Sequence, residues 1–383
     1  MRNRKKQITF GDDTDIDKLR ITFADDTGFD KLNFITSFYS NVKAIELCIY
    51  DDLNLNELLS ILTRNLLQIL RLKLHGNFND EHLLLISKAI FGLKHLELSY
   101  KEGVTITDEG LTLMLSNLTN LKTVEFPNFN FPWIGESTVK ALASLQFLNN
   151  VTFYNLLIPA SDFRLLMDAK GKNLEQFSII YIDVKSLSVE ASFFLLEIFN
   201  KCSKLKKLNF SFLHSTIENI KLVNIPSLTD VCLDVGRCIL NASSEIFASV
   251  RRLEVFLDEA TDSELARIIS CFPTVKCLYF HIASNISYQT FRAISSLKKL
   301  RKLELMSLRD EYSLNVVTEI VTLARSCVNF YVGEIKSEAE FTTLLAVFER
   351  IANERRNEII KLRLNGGSTV LRPLPSNLKL IFY

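Results

Sequence analysis

Fourteen stretches of the chain repeat one apolar pattern, L-x-x-L-x-L, and that recurrence limits the possible folds more than any other feature of the sequence. The clearest copies carry Leu93/Leu96/Leu98, Leu121/Val124/Phe126, Leu205/Leu208/Phe210, Val250/Leu253/Val255, Val275/Leu278/Phe280 and Leu300/Leu303/Leu305. Weaker copies begin at Val42, Ile69, Leu148, Leu174, Leu228, Cys327, Ile359 and Leu378, which gives a mean period of about 26 residues. Alternation of apolar and polar positions predicts a short strand with one face turned inward. The segments between strands show helical spacing: Leu58, Leu59, Leu62 and Leu66; Leu265, Ile268 and Ile269; Leu344, Leu345 and Phe348. Thr261 to Glu264 and Ser337 to Glu340 read as capping boxes that start two of these helices. One strand and one helix cannot bury their own leucines, so the units must stack and share a core. The composition agrees, with 61 Leu against 12 Gly and 7 Pro in 383 residues. A chain of this length would otherwise split into two or three globular domains, whereas a stacked array grows as one quasi-linear domain.

The spacing between starts ranges from 19 to 32 residues. Between Phe210 and Leu228 there is no room for a full helix, which makes that unit degenerate. The copy at Cys327 has two registers open to it, with Phe330 as its first or second core position. The stretch Ile106-Thr-Asp-Glu-Gly110-Leu through Val124, and the steps Cys202 to Leu205, Cys271 to Val275 and Cys327 to Phe330, carry a family likeness. They resemble the cysteine-containing leucine-rich repeats of F-box/leucine-rich-repeat proteins, over residues 42–383. The resemblance implies an α/β leucine-rich-repeat solenoid, a horseshoe with a parallel concave sheet and helices on the convex side. Residues 41–383 would form about 13–14 repeats. Residues 1–40 would be an acidic tail or cap, built on a 13-residue duplication in which Ile8 to Leu19 is echoed by Ile21 to Leu32. Its two I-T-F runs are expected to pair as short strands. The resemblance further implies a substrate-recognition or adaptor role like that of ubiquitin-ligase receptors, although residues 1–40 lack the L-P start and paired helices of an F-box.

Other function classes find little support. A formal charge of +1 supplies no global field for coating nucleic acid. Few glycines disfavour a phosphate-cradling loop. No apolar run follows the basic N-terminus and no span of about 18 apolar residues occurs, so neither secretion nor membrane insertion is expected. Seven cysteines, spaced C-x5-C at Cys232/Cys238 and Cys271/Cys277, suit buried thiols in a cytoplasmic or nuclear setting better than disulfides or zinc. Asp13, Asp15 and Asp17 match only the first half of a calcium loop, without its Gly and terminal Glu. The five histidines lack metal or nucleophile partners at motif spacing, and no hydrolase, zincin or P-loop signature occurs. The expectation is a non-enzyme with no metal and no cofactor.

A binding surface is the remaining possibility. In such a solenoid the x positions face away from the core. Most of them are charged, with Glu97, Glu125, Glu254 and Glu304 beside Arg252 and Lys302, and read as a solvated ladder. Larger apolar and aromatic residues interrupt it: Tyr154, Ile180, Phe256, Tyr279, His281, Met306 and Tyr331, with Tyr181 and Phe212 one position further on. Exposed rings on a sheet are enriched at interaction hot spots. Tyr154, Ile180, Phe212, Phe256, Tyr279, His281, Met306 and Tyr331 are therefore the candidate contacts to another protein through the concave face. Trp133 reads as packing a long turn. No nucleic acid or membrane partner is expected. The chain should be monomeric unless the strand at Leu378 leaves an uncapped edge. The alternative role is direct binding to a GTPase or nuclease as its regulator.

Overall fold

The computed structural model describes residues 8–10, 18–23, 43–49, 60, 69–76, 78–100, 106–126, 134–155, 158–181, 191–282, 288–306, 318–319, 321–322, 324, 327–334, 338–365 and 373–382. They fall in two compact units, Met1–Tyr181 and Ile182–Tyr383. The first unit contains β1 (Ile8–Phe10), β2 (Lys18–Phe23), β3 (Ala44–Ile49), β4 (Arg71–Gly76), α1 (Asp80–Ala89), β5 (His95–Tyr100) and α2 (Asp108–Asn117). It continues with β6 (Thr123–Phe126), α3 (Glu136–Ser144), β7 (Asn150–Tyr154), α4 (Ala160–Lys170) and β8 (Gln176–Tyr181). The second unit opens with α5 (Ala191–Lys201), β9 (Lys207–Ile220), β10 (Asp230–Leu240), β11 (Arg252–Leu257), α6 (Asp262–Ser270), β12 (Cys277–Ile282) and α7 (Tyr288–Ser296). It ends with β13 (Lys302–Met306), β14 (Asn329–Glu334), α8 (Glu338–Glu354), β15 (Ile360–Asn365) and β16 (Leu378–Phe382).

Within each unit the strands lie side by side in chain order. Every described pairing is parallel except that of β1 with β2. Equivalent leucines face each other across the ladder, as in Leu72 opposite Leu96 and Leu253 opposite Leu278. Strands β4, β8 and β11 alternate buried and partly exposed residues, the signature of one face on a core. Neighbouring helices pack side by side over that face, bringing Leu83, Ile86, Leu111, Met114, Leu265, Ile268 and Ile269 onto the strand leucines. This one-strand-per-repeat parallel ladder with helices on one side is a leucine-rich-repeat solenoid. Phenylalanines replace leucines in part of the core: Phe126 stacks on Phe153 at 6.2 Å, and Phe247 stacks on Phe272 at 5.0 Å.

The motif Thr107-Asp108-Glu109-Gly110 shows how successive repeats are joined. Thr107 caps α2 by accepting from the Gly110 amide at 3.1 Å. Asp80, one repeat earlier, accepts from the Thr107 amide at 2.8 Å and from its hydroxyl at 2.6 Å. Asp108 repeats the device one step on, accepting from the amides of Gly135 at 2.9 Å and Thr138 at 3.2 Å. Asp262 does the same for Gln289 and Thr290 at 2.9 and 3.1 Å. Each carboxylate satisfies backbone donors left orphaned at the next helix start. The glycine has a steric reason: a Cβ on Gly110 would lie 2.0 Å from Asp80 Oδ1.

Several expectations need correction. Tyr181 and Phe212 lie in the core, because they continue the inward parity of Phe177/Ile179 and Leu208/Phe210; Phe212 is 0% exposed and its ring stacks on Phe210 at 4.6 Å. Phe212 is thus no surface contact. In the N-terminal segment the strands that carry the two I-T-F runs do pair, antiparallel, but in a register offset from the runs themselves: Ile8 faces Ile21, the first residue of the second run, while Thr9 and Phe10 face Arg20 and Leu19. Strand β2 then joins the parallel ladder, with Leu19 opposite Ile45. At Cys327 the register is fixed by Phe330, which pairs with Leu303 and Leu362 and is therefore the second core position. The copy begun at Ile359 keeps Leu362 and Leu364 as its second and third core positions, opposite Phe330 and Val332, but its first position moves: Ile359 is exposed and Ile360 is buried. Likewise Leu380 sits opposite Leu362, so Asn377 takes the place of a leucine there. Its side-chain amide donates to the carbonyls of Ala352, Arg355 and Glu358 at 2.8, 3.1 and 3.0 Å, closing the turn after α8. The degenerate unit is real: β9 and β10 are strands of 14 and 11 residues, and no helix separates them. The capping box at Thr261 and Glu264 forms. The helical positions Leu58, Leu59, Leu62 and Leu66, the cap at Ser337, and Trp133 lie outside the described residues.

Candidate functional site

The face opposite the helices carries polar and aromatic side chains in rows, since parallel register brings equivalent positions together on adjacent strands. In the second unit the middle row runs Asn209, Cys232, Glu254, Tyr279, Glu304, Tyr331 and Arg363. Tyr279 is clamped from both sides. The Arg252 guanidinium lies 4.6 Å from its ring centroid and the Lys302 ammonium 4.7 Å. Lys302 also donates to the Tyr279 hydroxyl at 3.0 Å and pairs with Glu304. Arg252 Nε donates to Glu254 at 2.7 Å. Burial works against the charge on Lys302, yet its bonds to Glu304 and Tyr279 carry its pKa above the usual lysine value.

Of the candidate contacts in this unit, Phe256, Tyr279 and Tyr331 are half-buried on this face. Phe256, His281 and Met306 form the adjoining row by register, with Phe256 opposite His281 and His281 opposite Met306. The thiol of Cys232 is pushed far up by burial and by Glu254 and Asp234. Burial raises Cys202, Cys238 and Cys327 to about 12. None of these four is a thiolate nucleophile at neutral pH.

In the first unit Tyr154 and Ile180 are register neighbours, both half-buried. Asn155, just past Tyr154, takes a left-handed conformation at φ 54°, and its amide bonds to the Ile180 carbonyl at 2.7 Å. A groove of about 240 Å³ lies on the same face, lined by Arg71, Lys73, His95, Glu97, Thr123, Glu125 and Asn150 together with Leu72 and Leu96. Lys73 pairs with Glu97 at 2.5 Å, and His75 stands 3.9 Å from both Glu46 and Glu97. Burial, then Arg71, Lys122 and Lys94, lower the His95 pKa, so the ring is neutral at pH 7. Burial and the neighbouring Glu97 raise the Glu125 pKa, against the pull of Lys73 and Arg71. The sequence placed these charges in a ladder but gave no sign that one carboxylate would be left over. That signal needs the register of three strands.

Among the described residues no group of three or more His, Cys, Asp or Glu side chains is placed to hold a metal ion, and no helix is long and apolar enough to cross a membrane.

No family model matches the chain, and no curated protein matches it. Solved structures resemble it at low identity. The TLR13 chain of a TLR13–ssRNA13 complex aligns with 16% identity and a TM-score of 0.46 over 92% of this chain and 45% of that one. The leucine-rich-repeat protein LegL7 of Legionella pneumophila aligns at 14% identity, TM-score 0.42, covering 86% of this chain and 97% of its own. A chain of the yeast Rad7–Elc1 complex aligns at 13% identity, TM-score 0.38, covering 93% of each. The chain thus spans less than half the length of the TLR13 chain it matches.

Proposed function

We propose that this chain is a non-catalytic scaffold that binds another protein through the face opposite its helices. The observation that carries the reading is the composition of that face. Tyr154 and Ile180 on the parallel ladder of the first unit, and Phe256, Tyr279 and Tyr331 on that of the second, are large side chains left half-exposed among fixed charges. Rigid aromatic anchors among charges give an interface contact area at low entropic cost. The finer reading is a substrate-recognition adaptor, similar to the F-box/leucine-rich-repeat proteins of ubiquitin ligases. The resemblance at Ile106 to Val124 and at the Cys202, Cys271 and Cys327 steps supports it. His281 and Met306 are assigned to the same surface from their register beside Phe256. The partner is read as a protein and not a nucleic acid, because acids stand on the strands of both units, Glu97 and Glu125 in the first and Glu254 and Glu304 in the second, and interrupt any basic stripe.

Affinity capture from cells with the full chain as bait, read by mass spectrometry, tests this. The adaptor reading expects ubiquitin-ligase subunits together with a substrate. Recovery of only a GTPase or a nuclease makes the chain an enzyme regulator instead. Recovery of no protein under conditions where the chain stays folded refutes the scaffold reading.

A further inference from the structure

Lys73 is the middle-row cation between Glu46 and Glu97 in the first unit, and it is committed to Glu97 at 2.5 Å. Glu125 follows on β6, directly opposite Glu97. It has no ion-pair partner within 4.0 Å and no hydrogen bond among the described residues. The next strand, β7, offers only Asn150 and Thr152 at the facing positions. Asn150 gives its amide N–H to Thr123 at 3.3 Å, and its Oδ1 is buried without a partner. One wall of the groove therefore holds a half-buried carboxylate and a carbonyl oxygen that both lack donors. A buried acceptor without a donor is costly unless something supplies one.

We propose that this groove receives an arginine side chain of the partner protein, seated against Glu125. The inference rests on the scaffold reading and specifies the chemistry of one contact. A planar guanidinium presents two parallel N–H donors in a fixed fork that matches both oxygens of a carboxylate, whereas an ammonium is a compact point charge without that geometry. The groove volume of about 240 Å³ accommodates a side chain but not a folded element. The charges facing Glu125 are Glu97 on β5, with Arg71 and Lys73 on β4 and the neutral His95 on β5. Burial and Glu97 outweigh the two cations, so the carboxylate remains under-compensated and an incoming cation gains from both acids. Exposed Arg71, at the rim, favours an acidic or neutral residue beside the arginine of the partner and disfavours a run of basic ones.

The test uses the full chain and a fluorescein-labelled hexapeptide with one arginine and one glutamate among glycines and serines, followed by fluorescence anisotropy at 0.15 M salt. Controls replace the arginine by lysine or by glutamine. The arginine peptide should bind, the lysine peptide about fivefold more weakly, and Glu125→Gln should weaken the arginine peptide about tenfold. Glu109→Gln, on exposed α2, should have no effect. Equal losses in Glu125→Gln and Glu109→Gln, or binding that ignores replacement of the arginine by glutamine, overturn the inference. So does a preference for an all-acidic peptide that is lost in Arg71→Ala. Capture of the cellular partner separates the two levels. If wild-type chain and Glu125→Gln hold the same partner equally, the arginine contact is refuted and the scaffold stands. If neither holds any protein, the scaffold reading itself falls.

Discussion

Replacing Gly110 with alanine should destabilise the fold, and the sign of that effect should depend on a residue one repeat away. An added Cβ would lie 2.0 Å from Asp80 Oδ1, 2.2 Å from its Cγ and 2.7 Å from its Cβ. The Asp80 side chain must swing out and abandon both bonds to Thr107, and the two helix starts must also part slightly, because rotation leaves the Asp80 Cβ where it is. Two exposed charge-assisted bonds at about 1 kcal/mol each make a loss of about 2 kcal/mol. Alanine in a helix interior returns about 1 kcal/mol over glycine, leaving a net loss of about 1 kcal/mol. With Asp80→Gly the obstructing side chain, including its Cβ, is gone and the two bonds are already lost. There Gly110→Ala should stabilise by about 1 kcal/mol. The coupling in the double-mutant cycle is then about 2 kcal/mol, well above the additivity expected of sites a whole repeat apart. Urea unfolding followed by far-ultraviolet circular dichroism measures it, with the m-value checked in every variant. If Gly110→Ala is destabilising by the same amount in both backgrounds, the aspartate link between repeats does not operate as described.

Three further outcomes follow from burial and charge. Phe212→Ala should cost about 3–5 kcal/mol in the same unfolding assay, because its ring is 0% exposed and packs on Phe210 and Phe194; a loss below about 1 kcal/mol would return it to the surface. His82 accepts from the Asn79 amide through Nδ1 at 3.1 Å, and burial lowers its pKa below 6.5. Its contribution to stability is therefore complete above pH 6.5 and is lost as pH falls through the lowered folded value. His82→Gln keeps the reciprocal cap and should flatten that part of the pH–stability curve. Glu125 is the opposite case. Its folded pKa lies above 4.5, so its contribution is complete below that value and is lost as pH rises through the folded value. Glu125→Gln should accordingly raise the melting temperature at pH 7 and leave it nearly unchanged at pH 4; a lowered melting temperature at pH 7 would contradict the description of the groove.

The period of the leucines made the fold readable, because one apolar face per strand has only one way to be buried repeatedly. The helices at Leu265 and Leu344 and the missing helix after Phe210 were visible for the same reason. Register errors arose where the apolar run was doubled: Ile359-Ile360 and Leu378 to Ile381 each offer two alternations, and hydrogen bonding with β14 and β15 decides between them. Phe212 reads as outward from the repeat pattern alone, because β9 keeps its inward parity for longer than a repeat strand usually does. The reciprocal cap at Asn79 is not legible in the sequence, since histidine stands where a glutamate or glutamine is expected. The charged groove was the least legible part. Glu97, Glu125 and Lys73 come from three repeats, and whether a carboxylate is paired depends on which neighbour its strand register brings alongside.

The central claim is that the partner sits on the face opposite the helices. Site-specific photo-crosslinking tests it most directly. A benzophenone side chain is introduced at Thr152 or Tyr331 on that face, or at Leu113 or Leu196, which are exposed on helices. Irradiation of the captured complex should join the partner to position 152, to position 331 or to both, and not to 113 and 196. Crosslinks confined to the helix positions would contradict the account.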